Sequence, residues 1–183
     1  MDSRYRGALD ELAGVMDRLD DGAVDQAVRM IAEARNIVVF GGGREGLQIK
    51  GFAMRLFHMG RSVSVVGDMT TPAIGEGDLF VVTVGPGEIS TAIALLDIAK
   101  KAGARILVLT AQPHGRAAQY ADSVLVIPAQ TMANDQEAKV SILPMGSLYE
   151  GALFVLFEVM VLKLRDLLGV SPETMRTNHT NLE

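Results

Sequence analysis

The chain has 183 residues, 49% of them hydrophobic, with a formal net charge of -5 and no cysteine. That length supports one domain with a substantial core and falls short of two. The acidic balance gives no attraction to nucleic acid or an anionic membrane, and the missing thiols exclude a disulfide framework and thiolate metal sites while fitting a reducing cytoplasm.

The opening "MDSRYRGALDE" is charged and lacks an apolar core, so it does not read as a signal peptide. Apolar residues then recur at helical spacing, broken at Asp20-Asp21-Gly22, which predicts two helices within about 3–34. "NIVVF" (36–40) reads as a buried strand, followed by "GGGREG" and a helix from about Glu45 to Met59. "SVSVV" (62–66) and "LFVVTV" (79–84) are the second and third strands, and a helix follows from about Glu88 to Ala102. "RILVLT" (105–110) and "SVLVIP" (123–128) are the fourth and fifth, with a short helix between them near 114–120. The run from Met145 to Leu164 has membrane length, but Glu150 and Glu158 would then lie in hydrocarbon at a cost of about 2–4 kcal/mol each. A helix buried in the core or at a subunit interface is expected instead, ending at Gly169. "SPET" starts a short helix with Ser171 as its cap and Pro172 at its first position, and the tail is 178–183.

The strands are continuous apolar runs without polar alternation, as in parallel sheets covered on both faces. Strand–helix alternation gives the same class: α/β, a doubly wound parallel sheet in a three-layer α/β/α sandwich, one domain over 1–183. Ligands of such sheets bind beyond the carboxyl ends of the strands, near the switch in strand order. "GGGREG", "GDMTTPAIGEGD" and "GPGEIS" all leave strands at that end.

"GGGREG" matches a dinucleotide fingerprint through Gly41, Gly43 and Gly46, and Asp68 stands past the second strand where a ribose would need an acid. Equally, the glycines serve a sharp turn and close helix packing. "GPGEIS" has the shape of an anion cradle: Gly85 and Gly87 allow the turn, and free N–H groups open the next helix. Pro86 contributes no N–H, and Ser90 and Thr91 are the only nearby hydroxyls.

"GGGREG", "FAMRLFHMG", "TPAIGEGDL", "GPGEIS", "PMGSLYE" and the terminal "NHTNLE" occur in an order, across nearly the whole chain, that resembles the sugar isomerase (SIS) domain family and its 6-phospho-3-hexuloisomerase branch. The resemblance implies a flavodoxin-like five-stranded sheet and a cytoplasmic homotetramer. It implies interconversion of a 3-keto and a 2-keto hexose 6-phosphate without metal or organic cofactor. No His/Asp/Glu spacing suggests a metal site, in agreement. The substrate-binding candidates are Gly43, Arg44, Glu45, Arg55, His58, Gly85, Gly87, Glu88 and Ser90, of which Glu88 and His58 match residues of the family.

The departures fall on those turns. The family's first turn typically reads Gly-x-Gly-Arg-Ser-Gly, and Glu45 stands here at the serine. Its second typically reads Ser-Gly-Ser-Gly-Glu-Thr, and Val84, Pro86 and Ile89 replace three hydroxyls. Hydrogen bonds to a charged group contribute roughly 1.5–3 kcal/mol each, so the loss weakens phosphate binding by several powers of ten unless it is replaced. A carboxylate at position 45 adds repulsion. Either Glu45 points into the pocket, where it accepts from sugar hydroxyls or pairs with an amine, or it faces solvent and favours the helix dipole.

Isomerisation through an enediol(ate) needs a base. Glu150, on an otherwise apolar helix, is the first candidate, because burial raises a carboxylate's proton affinity, and it matches the family's proposed catalytic glutamate. The other reading of Glu150 is a carboxylate paired with an arginine at a subunit interface. His179 is the second candidate, a proton shuttle between oxygens, matched to the family's C-terminal histidine. Its survival implies a tail that docks into a site, in its own or a neighbouring subunit. His58 matches a family histidine or is a last-turn cation. Arg55 faces the sheet's carboxyl end or forms a structural salt bridge. Glu158 lies eight residues after Glu150, about 80° round a helix, so no carboxylate pair is expected. His114 and the ten methionines carry no case. The alternatives to the hexulose-phosphate reading are an isomerase of a different, unphosphorylated sugar, a non-catalytic sugar-binding SIS module, and a nucleotide-binding protein. A single domain with so apolar a helix is expected to be a dimer or tetramer.

Overall fold

The computed structural model describes residues 3–136 and 141–182. Its strands are β1 (Ile37–Gly41), β2 (Val63–Val65), β3 (Leu79–Thr83), β4 (Arg105–Thr110) and β5 (Ser123–Val126). All neighbouring pairs are parallel, in the order β2-β1-β3-β4-β5. Val39 stands opposite Val65 on one side and Val81 on the other, which fixes the register at the centre.

The continuous apolar runs are explained by two cores. Val39, Val81, Leu107, Leu109 and Leu125 point to one face, while Val38, Phe80, Val82, Ile106 and Val108 point to the other. The first face is covered by α1 (Arg4–Met16), α2 (Asp21–Glu33), α3 (Gly43–His58) and α5 (Ser147–Leu168). The second is covered by α4 (Ser90–Lys101) and a 3₁₀ turn at Arg116–Tyr120. The last helix, α6 (Pro172–Thr177), is capped by the Ser171 hydroxyl, which accepts from the Thr174 N–H.

α5 is the central helix of the first layer. Tyr149, Leu153, Leu156, Phe157, Met160 and Leu164 are buried, and Phe157 stacks on Phe52 of α3 with ring centroids 4.4 Å apart. Among the described residues no helix is long and apolar enough to cross a membrane. α5 is thus a core helix, as its two glutamates require.

Two helix starts differ from expectation. α3 begins at Gly43, two residues early, because Gly43 adopts φ 53° and turns the chain directly off β1. α4 begins at Ser90, two residues late. Gly87, at φ 84°, closes the turn with its N–H on the Val84 carbonyl at 2.9 Å and leaves Ile89 extended. β5 ends at Val126, short of the predicted Pro128.

The approach of α3 to the sheet is set by contact. A Cβ built on Gly46 would lie 2.6 Å from the Gly41 carbonyl oxygen, and one on Gly41 would lie 2.8 Å from the Thr83 methyl. The glycines of the first turn therefore seat α3 on β1 and β3, which is the packing reading of that motif.

Candidate functional site

A cavity of about 560 Å³ opens at the carboxyl ends of β1 and β3. These are the strands between which the winding reverses, where doubly wound sheets bind ligands. Its wall comes from Gly42–Glu45 at the start of α3, Pro86 and Ile89 of the second turn, and Tyr149 and Glu150 at the start of α5. Thr131 and Met132 close one side.

Two adjacent residues of α3 hold different partners: Arg44 reaches Glu150 of α5, and Glu45 reaches the end of β3 and the second turn. Arg44 Nε donates to Glu150 Oε2 at 2.5 Å. The Glu45 carboxylate accepts from the Thr83 hydroxyl at 2.7 Å and from the Gly85 N–H at 3.0 and 3.1 Å. Thr83 Oγ1 lies 3.0 Å from the Tyr149 hydroxyl. Thr83 gives its one proton to Glu45, so Tyr149 is the donor to Thr83. The chain of bonds thus runs from Tyr149 through Thr83 to Glu45.

Both carboxylates are 9% exposed. Burial raises the pKa of Glu45, the bonds from Thr83 and Gly85 oppose that rise, and the nearby Glu150 charge adds to it. Tyr149 is pushed well above the ordinary phenol value, first by burial and then by the Glu45 charge. Glu45 therefore faces the cavity, and its solvent-facing reading is set aside. Glu150 is paired with an arginine, as one reading held, but the pair is internal to the chain and borders the cavity.

The second turn has the shape of an anion cradle whose first half, up to Gly87, is filled from within. The Val84 N–H is bonded to the Leu109 carbonyl and the Gly87 N–H to the Val84 carbonyl, each at 2.9 Å. Gly85 donates to Glu45, and Pro86 has no N–H to offer. Ile89 lies over the first turn, so that a Cβ on Gly42 would meet its Cδ1 at 3.2 Å.

The other candidates lie elsewhere. Glu88 and Ser90 are exposed and outside the cavity, and Glu88 accepts from Arg116 at 3.1 Å. Arg55 pairs with Glu158 at 3.2 Å, the structural salt bridge of its second reading. His58 is buried at the end of α3, and His179 stacks on it with centroids 5.0 Å apart. Asn178 Nδ2 donates to the His58 carbonyl at 2.9 Å, so the tail docks on its own chain. Glu183 lies outside the described residues. His58, His179, Arg55 and Arg176 border a second cavity of about 450 Å³. Arg44 and His58 are 14 residues apart on α3, which places the two sites about 20 Å apart at a rise of about 1.5 Å per residue. One chain does not bring Glu150 and His179 together. Among the described residues no His/Cys/Asp/Glu group is arranged to hold a metal.

Thr83 and Tyr149 were not among the candidates. Thr83 is the next-to-last residue of a run that reads only as a strand, and Tyr149 sits in an apolar stretch. The signal available was a single hydroxyl at the carboxyl end of a buried strand, just before a glycine turn.

The SIS domain model matches residues 30–155. The chain is 41% identical over 174 residues to the 3-hexulose-6-phosphate isomerase of Mycobacterium gastri, covering 95% of this chain and 87% of that protein. It is 35% identical over 175 residues to the 3-hexulose-6-phosphate isomerase of Bacillus subtilis, covering 96% and 95%. In fold it is similar to a hypothetical protein from Methanococcus jannaschii, with a TM-score of 0.83 at 23% identity over 96% of this chain and 97% of that one. The molecular function inferred for that protein from its structure is 3-hexulose-6-phosphate isomerase.

Proposed function

The chain belongs to the SIS domain family, and on that premise we propose that it is a cytoplasmic sugar-phosphate isomerase interconverting a 3-keto and a 2-keto hexose 6-phosphate. The observation that carries this reading is Glu150, a buried carboxylate on the wall of the cavity, aligned by Arg44. The identity of about two residues in five with an isomerase of that name supports it.

Glu150 takes the proton from the carbon beside the carbonyl, which leaves an enediol(ate) across the two carbons. It returns the proton to the former carbonyl carbon, and the hydroxyl proton passes between the two oxygens. Arg44 holds the carboxylate in line and places a cation beside the charge that develops on oxygen. The hydrogen moves only within the substrate and solvent, so no cofactor is proposed.

His179 is assigned to the oxygen-to-oxygen proton transfer, delivered by the tail of a second copy, because its own cavity lies at the far end of α3. The exposed Leu47, Met54 and Phe57 of α3 and Phe154 and Leu162 of α5 support an assembly of copies. Light scattering is expected to give a dimer or tetramer, and a monomer would remove His179 from the mechanism.

The test of function is proton NMR in D₂O with fructose 6-phosphate. Solvent deuterium is expected at C3 of fructose 6-phosphate, the carbon that gives up its proton, and at C2 of the 3-keto product, and not at C1. Its absence with folded protein would favour a sugar-binding module without turnover, the second reading, which draws its support from the half-filled cradle.

A further inference from the structure

Glu45, from the first turn, reaches across to the Gly85 N–H of the second and faces the cavity with lone pairs to offer. The amides of Val84, Gly85 and Gly87 are engaged, Pro86 has none, and Ile89 is apolar. An incoming phosphate meets a carboxylate here. We propose that Glu45 is the specificity residue of this cavity: it binds a sugar phosphate with one proton shared between its carboxyl group and the phosphate.

This rests on the sugar-phosphate reading and adds the charge state of the bound ligand. The two carboxylate oxygens differ. Oε2 accepts from both Thr83 and Gly85, whereas Oε1 accepts from Gly85 alone at 3.1 Å, so Oε1 has room for the proton. Thr83 and Gly85 continue to donate to the other oxygen. The proton is drawn from solvent as the phosphate enters and returned as it leaves. The only bond made is O–H, and the product is a short hydrogen bond between an acid and an anion. Without the proton, a carboxylate and a phosphate dianion face each other in a half-closed site.

The groups around Glu45 leave it no other way to neutralise. α5 presents Tyr149, whose hydroxyl is committed to Thr83, and Glu150, which is itself negative. β3 presents only the Thr83 hydroxyl and β1 no titratable side chain. On its own helix, Arg44 is paired with Glu150. Burial already raises the proton affinity of Glu45 in the free protein, in the direction the proposal needs.

The sign of the linkage follows. The phosphate monoester is a dianion above about pH 7, since its second pKa is about 6. A complex that holds one extra proton loses affinity as pH rises, by about tenfold per pH unit. Calorimetry of fructose 6-phosphate binding, in two buffers of different ionisation enthalpy between pH 7.5 and 8.5, reads the proton directly. The wild type is expected to take up close to one proton per site and to weaken about tenfold over that range. Glu45→Gln and Glu45→Ser are expected to bind with no uptake and a flat pH profile. Binding by the wild type without uptake, or uptake that persists in both variants, overturns the proposal. So does a wild type that fails to bind while Glu45→Ser binds, an outcome that leaves the isomerase scaffold reading standing. Failure of all three proteins to bind overturns the proposal and the sugar-phosphate reading together.

Discussion

Glu150→Gln is expected to remain folded and to lose deuterium exchange into fructose 6-phosphate by about 10²–10⁴-fold, the range a positioned general base contributes. Glutamine keeps the shape and still accepts from Arg44 Nε, but it cannot carry the substrate proton. The fold has little reason to respond. Arg44 is 67% exposed at its side chain and stays solvated when its partner loses charge. Unchanged circular dichroism with exchange abolished is the expected pair of results. Normal exchange in this variant would refute Glu150 as the base.

Gly46→Ala is expected to lower stability by about 1–3 kcal/mol, the usual range for overpacking, and to reduce turnover with it. The added methyl would stand 2.6 Å from the Gly41 carbonyl oxygen, backbone against backbone, so no side-chain rotamer relieves it. α3 must lift from β1 at its first turn, and that turn carries Arg44 and Glu45. For a domain of this length each kcal/mol lowers the melting temperature by about 2–4 °C. Gly51→Ala, on the same helix with nothing within 4 Å of the new Cβ, is the control and is expected to be neutral or slightly stabilising. Equal melting temperatures for the two variants would show that α3 does not depend on the close approach at Gly46.

Most of the fold was legible along the chain because the strands are buried on both faces. "LFVVTV" has no alternation to confuse it with a surface strand, and each of its predicted neighbours lies within two residues of its observed bounds at either end. The glycine turns were legible as turns. Their contents were less so, for physical reasons. Glutamate in the first turn of a helix satisfies the helix dipole whether it points in or out, so Glu45 was undecided until burial decided it. Thr83 and Tyr149 are 66 residues apart, and Glu45 and Thr83 are 38 apart. No local pattern encodes a bond chain of that reach. Glu88 was a candidate by its match to the family's second turn and Ser90 as one of the few hydroxyls beside that turn. The extended backbone at Ile89 turns both residues outward, and the cavity receives Ile89 instead.

α3 also sets a fixed spacing. It is a single uninterrupted helix with the Glu150 cavity at its first turn and the docked tail at its last. It therefore serves as a rigid ruler between what a copy receives and what it lends. Two copies related by a twofold axis share one spacing and one surface patch, so any loan is mutual. If the tail of one copy reaches its neighbour's cavity, the neighbour's tail reaches back, and active centres of this kind are completed in pairs or not at all.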